Sequence, residues 1–73
     1  MEKSLGKFLQ SQREKGGLKG AAMARELDNS PAAVGQLERR SDVSTKSIRM
    51  YAKALNIPLD EMYLGLSNYF KST

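Results

Sequence analysis

Apolar residues recur every three or four positions along nearly the whole chain, a pattern that predicts helices and no strand. "EKSLGKFLQSQREK" sets Leu5, Phe8, Leu9 and Gln12 at helical spacing and stops at Gly16-Gly17. "LKGAAMAREL" puts Met23 and Leu27 on one face with Ala24 beside them. "SPAAVGQLERR" opens with a serine N-cap and a proline at the first helical position, and Val34 and Leu37 are its inward pair. "STKSIRMYAKAL" lines up Ile48, Tyr51, Ala52 and Leu55, is capped by Ser44 or Thr45, and is closed by Asn56. "PLDEMYLGLSNYF" begins at Pro58 and aligns Leu59, Met62, Tyr63, Leu66 and Phe70, read as core positions. The predicted helices span about 2–15, 19–27, 31–39, 45–55 and 58–70, joined by short loops. Each has one apolar stripe and none is apolar all round, so each supplies one wall of a shared core. The expected fold class is all-α: a compact five-helix domain over 1–73, without repeat or linker, with the final "KST" frayed.

Composition narrows the function. A chain of 73 residues buries only about 60% of the surface its unfolded form exposes, which favours a simple, locally connected fold. There is no cysteine and no histidine, which excludes disulfide staples, thiolate metal sites, cysteine enzymes and Ser–His triads. Glu2, Glu14, Glu26 and Glu38 are scattered with no base to pair, so no enzyme activity, metal or cofactor is expected. No apolar run approaches the roughly 20 residues of a membrane span, and the polar, amphipathic N-terminus is no secretory signal. A soluble cytoplasmic protein is expected. The formal net charge of +4 suits a polyanion. Residues 1–20 carry five Lys/Arg against two acids, 21–41 are balanced and 42–73 are +1, so the charge is spread over helices rather than held in a tail.

The second and third helices are joined by "LDNS", too short for a long antiparallel hairpin, so the pair must cross steeply. Close crossing needs a small residue, and Ala24 is there. The turn needs a residue tolerant of positive φ; Asp28 and Asn29 are the non-glycine types that tolerate it best. With Ala24, Met23, Leu27, Val34 and Leu37 at these spacings, and Asp28 standing where the family has glycine, "GAAMARELDNSPAAVGQLER" resembles the helix-turn-helix (20–39) of phage Cro and repressor proteins and their Xre-like relatives. "LGKFLQSQREKGGL" and "AKALNIPLDEMY" extend the resemblance to about residues 4–64. "LERRSDVSTKSIRMYAKAL" is also similar to helix-turn-helix antitoxins. Two departures stand out: Gly20 where the family often has a phosphate-binding Gln, and Asn29 where it often has a hydrophobe.

At about 100° per residue, with Val34 and Leu37 inward, Ala32, Gln36 and Arg39 point away, and Ala33 and Gly35 flank them. Gln can bond adenine at two points, Arg can grip guanine, and Ala can touch a thymine methyl, so Ala32, Ala33, Gln36 and Arg39 are the candidate base readers. A second explanation of the small residues is that another helix packs on them, making a protein-binding groove. Candidate phosphate contacts are Ser30 with the open amides near it, and Lys19 and Gly20 at the start of the second helix. Arg40, Ser44, Thr45 and Lys46 cluster where the resemblance places further phosphate contacts. Glu38 tilts inward, and the resemblance implies that it pairs with Arg13.

One such module offers about 600–1,000 Å² of contact, too little for high specificity alone, and relatives solve this by dimerising. Leu64 points outward, with Tyr69 and Met50 as neighbours, so these three are the candidate homodimer contacts. The resemblance implies a DNA-binding transcriptional regulator of a prokaryote or phage, most simply a repressor on a two-fold operator in the nucleoid. The competing expectation is an antitoxin or interaction module whose main partner is a toxin or other protein.

Overall fold

In the computed structural model, which describes residues 3–71, the chain forms five α-helices and no strand among the described residues. They are α1 (Leu5–Lys15), α2 (Gly20–Glu26), α3 (Pro31–Glu38), α4 (Thr45–Ala54) and α5 (Leu59–Lys71). Of the first predicted helix, Glu2 lies outside the described residues, and Lys3 and Ser4 precede α1. Ser4 is extended, at φ −143° and ψ 162°, and its hydroxyl oxygen accepts the Lys7 amide, so it caps the helix instead of continuing it. Ser30 and Ser44 do the same for α3 and α4, accepting the amides of Ala33 and Ser47. At the C-terminus, Lys71 continues α5, while Ser72 and Thr73 lie outside the described residues.

Three helices also end alike. The residue after the C-cap is Gly17 (φ 78°) for α1, Asp28 (φ 54°) for α2 and Asn56 (φ 58°) for α4, each left-handed. Each turn returns two amides to the helix it leaves. Gly17 and Leu18 bond to Glu14 and Arg13, Asp28 and Asn29 to Arg25 and Ala24, and Asn56 and Ile57 to Lys53 and Ala52. Orphan carbonyls are thereby satisfied, and the chain reverses without a long loop.

All five helices meet in one core of Phe8, Leu9, Met23, Ala24, Val34, Ile48, Tyr51, Ala52 and Met62. Leu27 and Leu37 pack on its edge, half-buried. Ala24, 1% exposed, is buried on α2, which packs against α3. One contact depends on a missing side chain. The Leu5 and Gly6 amides donate to the Ser41 and Arg40 carbonyls at 3.2 and 3.1 Å, docking the segment after α3 onto the start of α1. A Cβ on Gly6 would lie 2.5 Å from the Arg40 oxygen and 2.6 Å from the Glu38 oxygen, so only glycine permits the approach.

The α5 helix departs from the sequence reading. Leu59, Tyr63 and Phe70, read as core, are 40%, 37% and 42% exposed. Tyr69, read as an outward dimer contact, packs on the core with its ring centroid 5.5 Å from that of Phe8. The flank that packs inward carries Gly65 and Tyr69 onto Phe8, and a Cβ on Gly65 would stand 3.8 Å from the Phe8 ring, an ordinary contact distance. Lys3 Nζ donates to the Tyr69 carbonyl at 2.9 Å and holds this end in place.

Candidate nucleic-acid interface

The α3 helix is gripped from one side and open on the other. Val34 and Glu38, four apart, are buried, while Ala32, Gln36 and Arg39 are exposed and Ala33 is half-buried. No residue of the chain covers the stripe of Ala32, Gln36 and Arg39 among the described residues. Arg39 bends towards Gly35, where its Nη1 would lie 3.9 Å from a Cβ.

Gln36 and Ala33 share a hollow of about 310 Å³ with Arg40. Leu27, Val34 and Leu37 also line it, and Asn29 and Ser47 complete its polar edge. Asn29 and Ser47 were not candidates on sequence. The signals available were the position of Asn29 after a left-handed residue and the Ser-x-x-Ser spacing of Ser44 and Ser47 at the start of α4.

The grip is ionic as well as apolar. Arg13 of α1 forks onto Glu38, Nε to Oε2 at 2.8 Å and Nη2 to Oε1 at 3.0 Å. Its Nη1 donates to the Leu18 carbonyl at 2.8 Å, and the Tyr51 hydroxyl of α4 donates to Glu38 Oε2 at 2.7 Å. The Arg13 and Glu38 side chains are 12% and 6% exposed, so the pair is held mostly out of water. Burial, then the hydrogen bond to Glu38 and the carboxylate's charge, push the Tyr51 phenol well above its ordinary value, only partly opposed by Arg13. Tyr51 therefore stays protonated and keeps donating at any ordinary pH. The Glu38 hydrogen bond likewise raises Arg13, against the opposing cost of burial. This three-residue network ties α1, α3 and α4 together at the C-terminal end of α3.

The remaining candidates divide by what their polar groups already do. The Ser30 amide is taken by Asn29 Oδ1 at 2.9 Å and the Ala33 amide by the Ser30 oxygen at 3.1 Å. The expectation of several open amides at Ser30 is corrected accordingly: Pro31 has none, and Ala32 keeps the one amide of that turn without a partner in the chain. Ser44 acts as the α4 cap and approaches the Ser47 hydroxyl at 3.2 Å, while Thr45 and Lys46 are exposed beside it. Lys19 is the α2 N-cap and makes no side-chain cap bond, so the first amides of α2 stay open. A Cβ on Gly20 would meet nothing within 4 Å. Met50 is half-buried in a second hollow of about 270 Å³ with Glu26, Leu27, Lys53 and Ala54. Leu64 is 61% exposed, the most exposed of the large apolar side chains.

No cluster of acidic, cysteine or histidine side chains able to hold a metal occurs among the described residues, and none of their helices is long and apolar enough to cross a membrane. No curated protein and no solved structure matches the chain. A model of the helix-turn-helix family, Cro/C1 type, matches residues 9–62, from within α1 into α5. That span takes in the α2–α3 turn, the exposed α3 face and the Arg13–Glu38 pair described above. The chain therefore belongs to the Cro/C1-type (Xre-like) helix-turn-helix family of DNA-binding transcription regulators.

Proposed function

We propose that the protein is a sequence-specific regulator, most simply a repressor, that binds a two-fold operator as a homodimer and acts by occupying it. One observation carries this reading: the Ala32, Gln36 and Arg39 face is uncovered while the opposite face of the same helix is clamped. A reading helix needs that combination, because base-edge hydrogen bonds discriminate only when their donors are held in place. Gln36 and Arg39 read base edges, and Ala32 and Ala33 bring the backbone deep into the groove. Lys19, Gly20, Ser30, Arg40, Ser44, Thr45 and Lys46 hold phosphates along both sides. Ser30 and Ser44 do so by hydroxyl donation, since their oxygens already accept from backbone amides.

Phosphate contacts of this number make binding salt-sensitive. If the dimer neutralises about six phosphates, affinity for a preferred duplex falls roughly 10³-fold between 50 and 200 mM salt. A mobility-shift titration at the two salt concentrations, with competitor DNA present, reads this directly. Binding seen only at low salt, with no preferred duplex, would instead support a second reading, an interaction module that holds another protein. That reading draws on the hollow lined by Leu27, Met50 and Ala54, which offers an apolar floor beside Lys53.

A further inference from the structure

The hollow of about 310 Å³ beside Gln36 joins an apolar floor, a set of hydrogen-bond donors and one cation. Leu27 and Leu37 form the floor, and Asn29, Arg40 and Ser47 stand on the polar edge. Asn29 Oδ1 accepts the Ser30 amide at 2.9 Å. That bond fixes the carboxamide and leaves Nδ2, which only donates, without a partner among the described residues. The Arg40 guanidinium is exposed and in no ion pair among the described residues. Ser47 Oγ lies 3.2 Å from Ser44 Oγ, and the two hydroxyls share one hydrogen and keep the other to give. Both serines stand at the start of α4, whose first turn holds no acid, so the positive end of the helix dipole is not neutralised there. Glu26 lines the hollow at Met50 and Glu61 lines another at Leu55, whereas no carboxylate lines this one. Every charged or donating group on its edge favours an anion.

An oxyanion alone does not match the remaining surface. Gln36 offers a donor and an acceptor side by side, the pattern that fits the edge of a base, adenine above all. Leu27 and Leu37 offer apolar area that a phosphate or a sugar would leave without a counterpart. Size narrows the choice further. A hollow of about 310 Å³ is at the small end of ligand pockets, with room for one nucleotide unit and not for two.

We propose that this hollow binds a nucleoside 5′-monophosphate. The phosphate sits on Asn29, Arg40 and Ser47, and the base lies on Leu27 and Leu37 with its edge at Gln36. The bound nucleotide covers Gln36 and Arg40 and so competes with DNA for the exposed face of α3. That competition rests on the regulator reading above, whereas the binding itself does not. Asn29, Gln36 and Arg40 are exposed, so the affinity is modest, with a dissociation constant on the order of 1 mM or tighter.

Amide NMR of the full chain, titrated with adenosine 5′-monophosphate to about 10 mM at constant ionic strength and without DNA, tests the binding. The absence of DNA separates a free nucleotide from the DNA backbone as the source of the phosphate. Saturable shifts are expected at Asn29, Gln36, Arg40 and Ser47, with affinity at least about tenfold above that for inorganic phosphate or adenosine alone. Asn29→Asp keeps an oxygen for the Ser30 amide and replaces the free donor by an anion. It should keep the fold by circular dichroism and weaken the nucleotide at least about tenfold. Ser47→Ala should weaken it about three- to tenfold. Arg49→Gln, which removes an exposed α4 cation outside the hollow, should leave it unchanged. On a preferred duplex, nucleotide at about ten times its own dissociation constant should weaken DNA binding about tenfold relative to sodium chloride of equal ionic strength.

No saturable shift at about 10 mM, inorganic phosphate binding as tightly as the nucleotide, or Arg49→Gln weakening it as much as Asn29→Asp would each overturn the proposal. Nucleotide binding by a chain that prefers no duplex would overturn the regulator reading alone. Site-selective DNA binding that the nucleotide does not weaken would overturn the proposal alone.

Discussion

Gly6→Ala is expected to destabilise the protein by about 2–4 kcal/mol, although alanine is the better helix former. The new Cβ would stand 2.5 Å from the Arg40 carbonyl oxygen, 2.6 Å from the Glu38 oxygen and 2.8 Å from the Glu38 carbonyl carbon. All three are backbone atoms, so no flexible side chain can yield. Relief requires the segment at Glu38–Arg40 to lift off α1, which breaks the hydrogen bonds from the Leu5 and Gly6 amides to the Ser41 and Arg40 carbonyls. Overpacking costs about 1–3 kcal/mol and each lost bond about 1, against the roughly 1 that alanine gains in helix propensity. A domain of 73 residues has only about 4–11 kcal/mol of stability in total, so the fall in urea midpoint should be large. DNA affinity should fall too, because Arg40 sits on the displaced segment. A Gly6→Ala midpoint equal to or above the wild type would contradict the close approach.

The second large effect is at Arg13. Arg13→Ala leaves the Glu38 carboxylate, 6% exposed, with the Tyr51 hydroxyl as its one remaining side-chain donor. It also removes the bond to the Leu18 carbonyl that holds the α1–α2 turn. Stranding one partner of a buried ion pair costs about 3–5 kcal/mol, and some water access at Arg13 brings the expected loss to about 2–4. Arg13→Lys should recover only part of it, since an ammonium cannot fork onto both carboxylate oxygens and still reach Leu18. Replacing the whole network by Arg13→Leu, Glu38→Leu and Tyr51→Phe should cost less than Arg13→Ala alone, because no charge is then left unpaired. Chemical denaturation of the three proteins checks the order. A single variant milder than the triple replacement would mean that the bridge is not shielded as its burial indicates.

What could be read from the sequence follows the range of the forces involved. The Ser30-Pro31 start of α3 and the left-handed turn at Asp28 are local devices, decided within four or five residues, and both were legible. The exposed face of α3 was legible because Val34 and Leu37 define its inward side. Gly6 was not, since the need for glycine comes from Arg40, far along the chain, docking on α1. The α5 orientation failed for a related reason. Leu59, Tyr63, Leu66 and Phe70 are as apolar a stripe as Met62, Leu66 and Tyr69, and the choice falls to which of them meets Phe8, a residue far along the chain. The open amides expected near Ser30 are fewer because Asn29, read as a turn residue and as a departure from the family pattern, accepts the Ser30 amide on its side-chain oxygen.

The account centres on α3 presenting Gln36 to the edges of base pairs. The direct measurement is the affinity ratio between a preferred duplex and a scrambled one, for the wild type, Gln36→Ala and Arg40→Ala at one salt concentration. Gln36→Ala should lose about 1–3 kcal/mol on the preferred duplex and little on the scrambled one, while Arg40→Ala should weaken both alike and keep the ratio. A Gln36→Ala protein that keeps the full wild-type ratio would contradict the account.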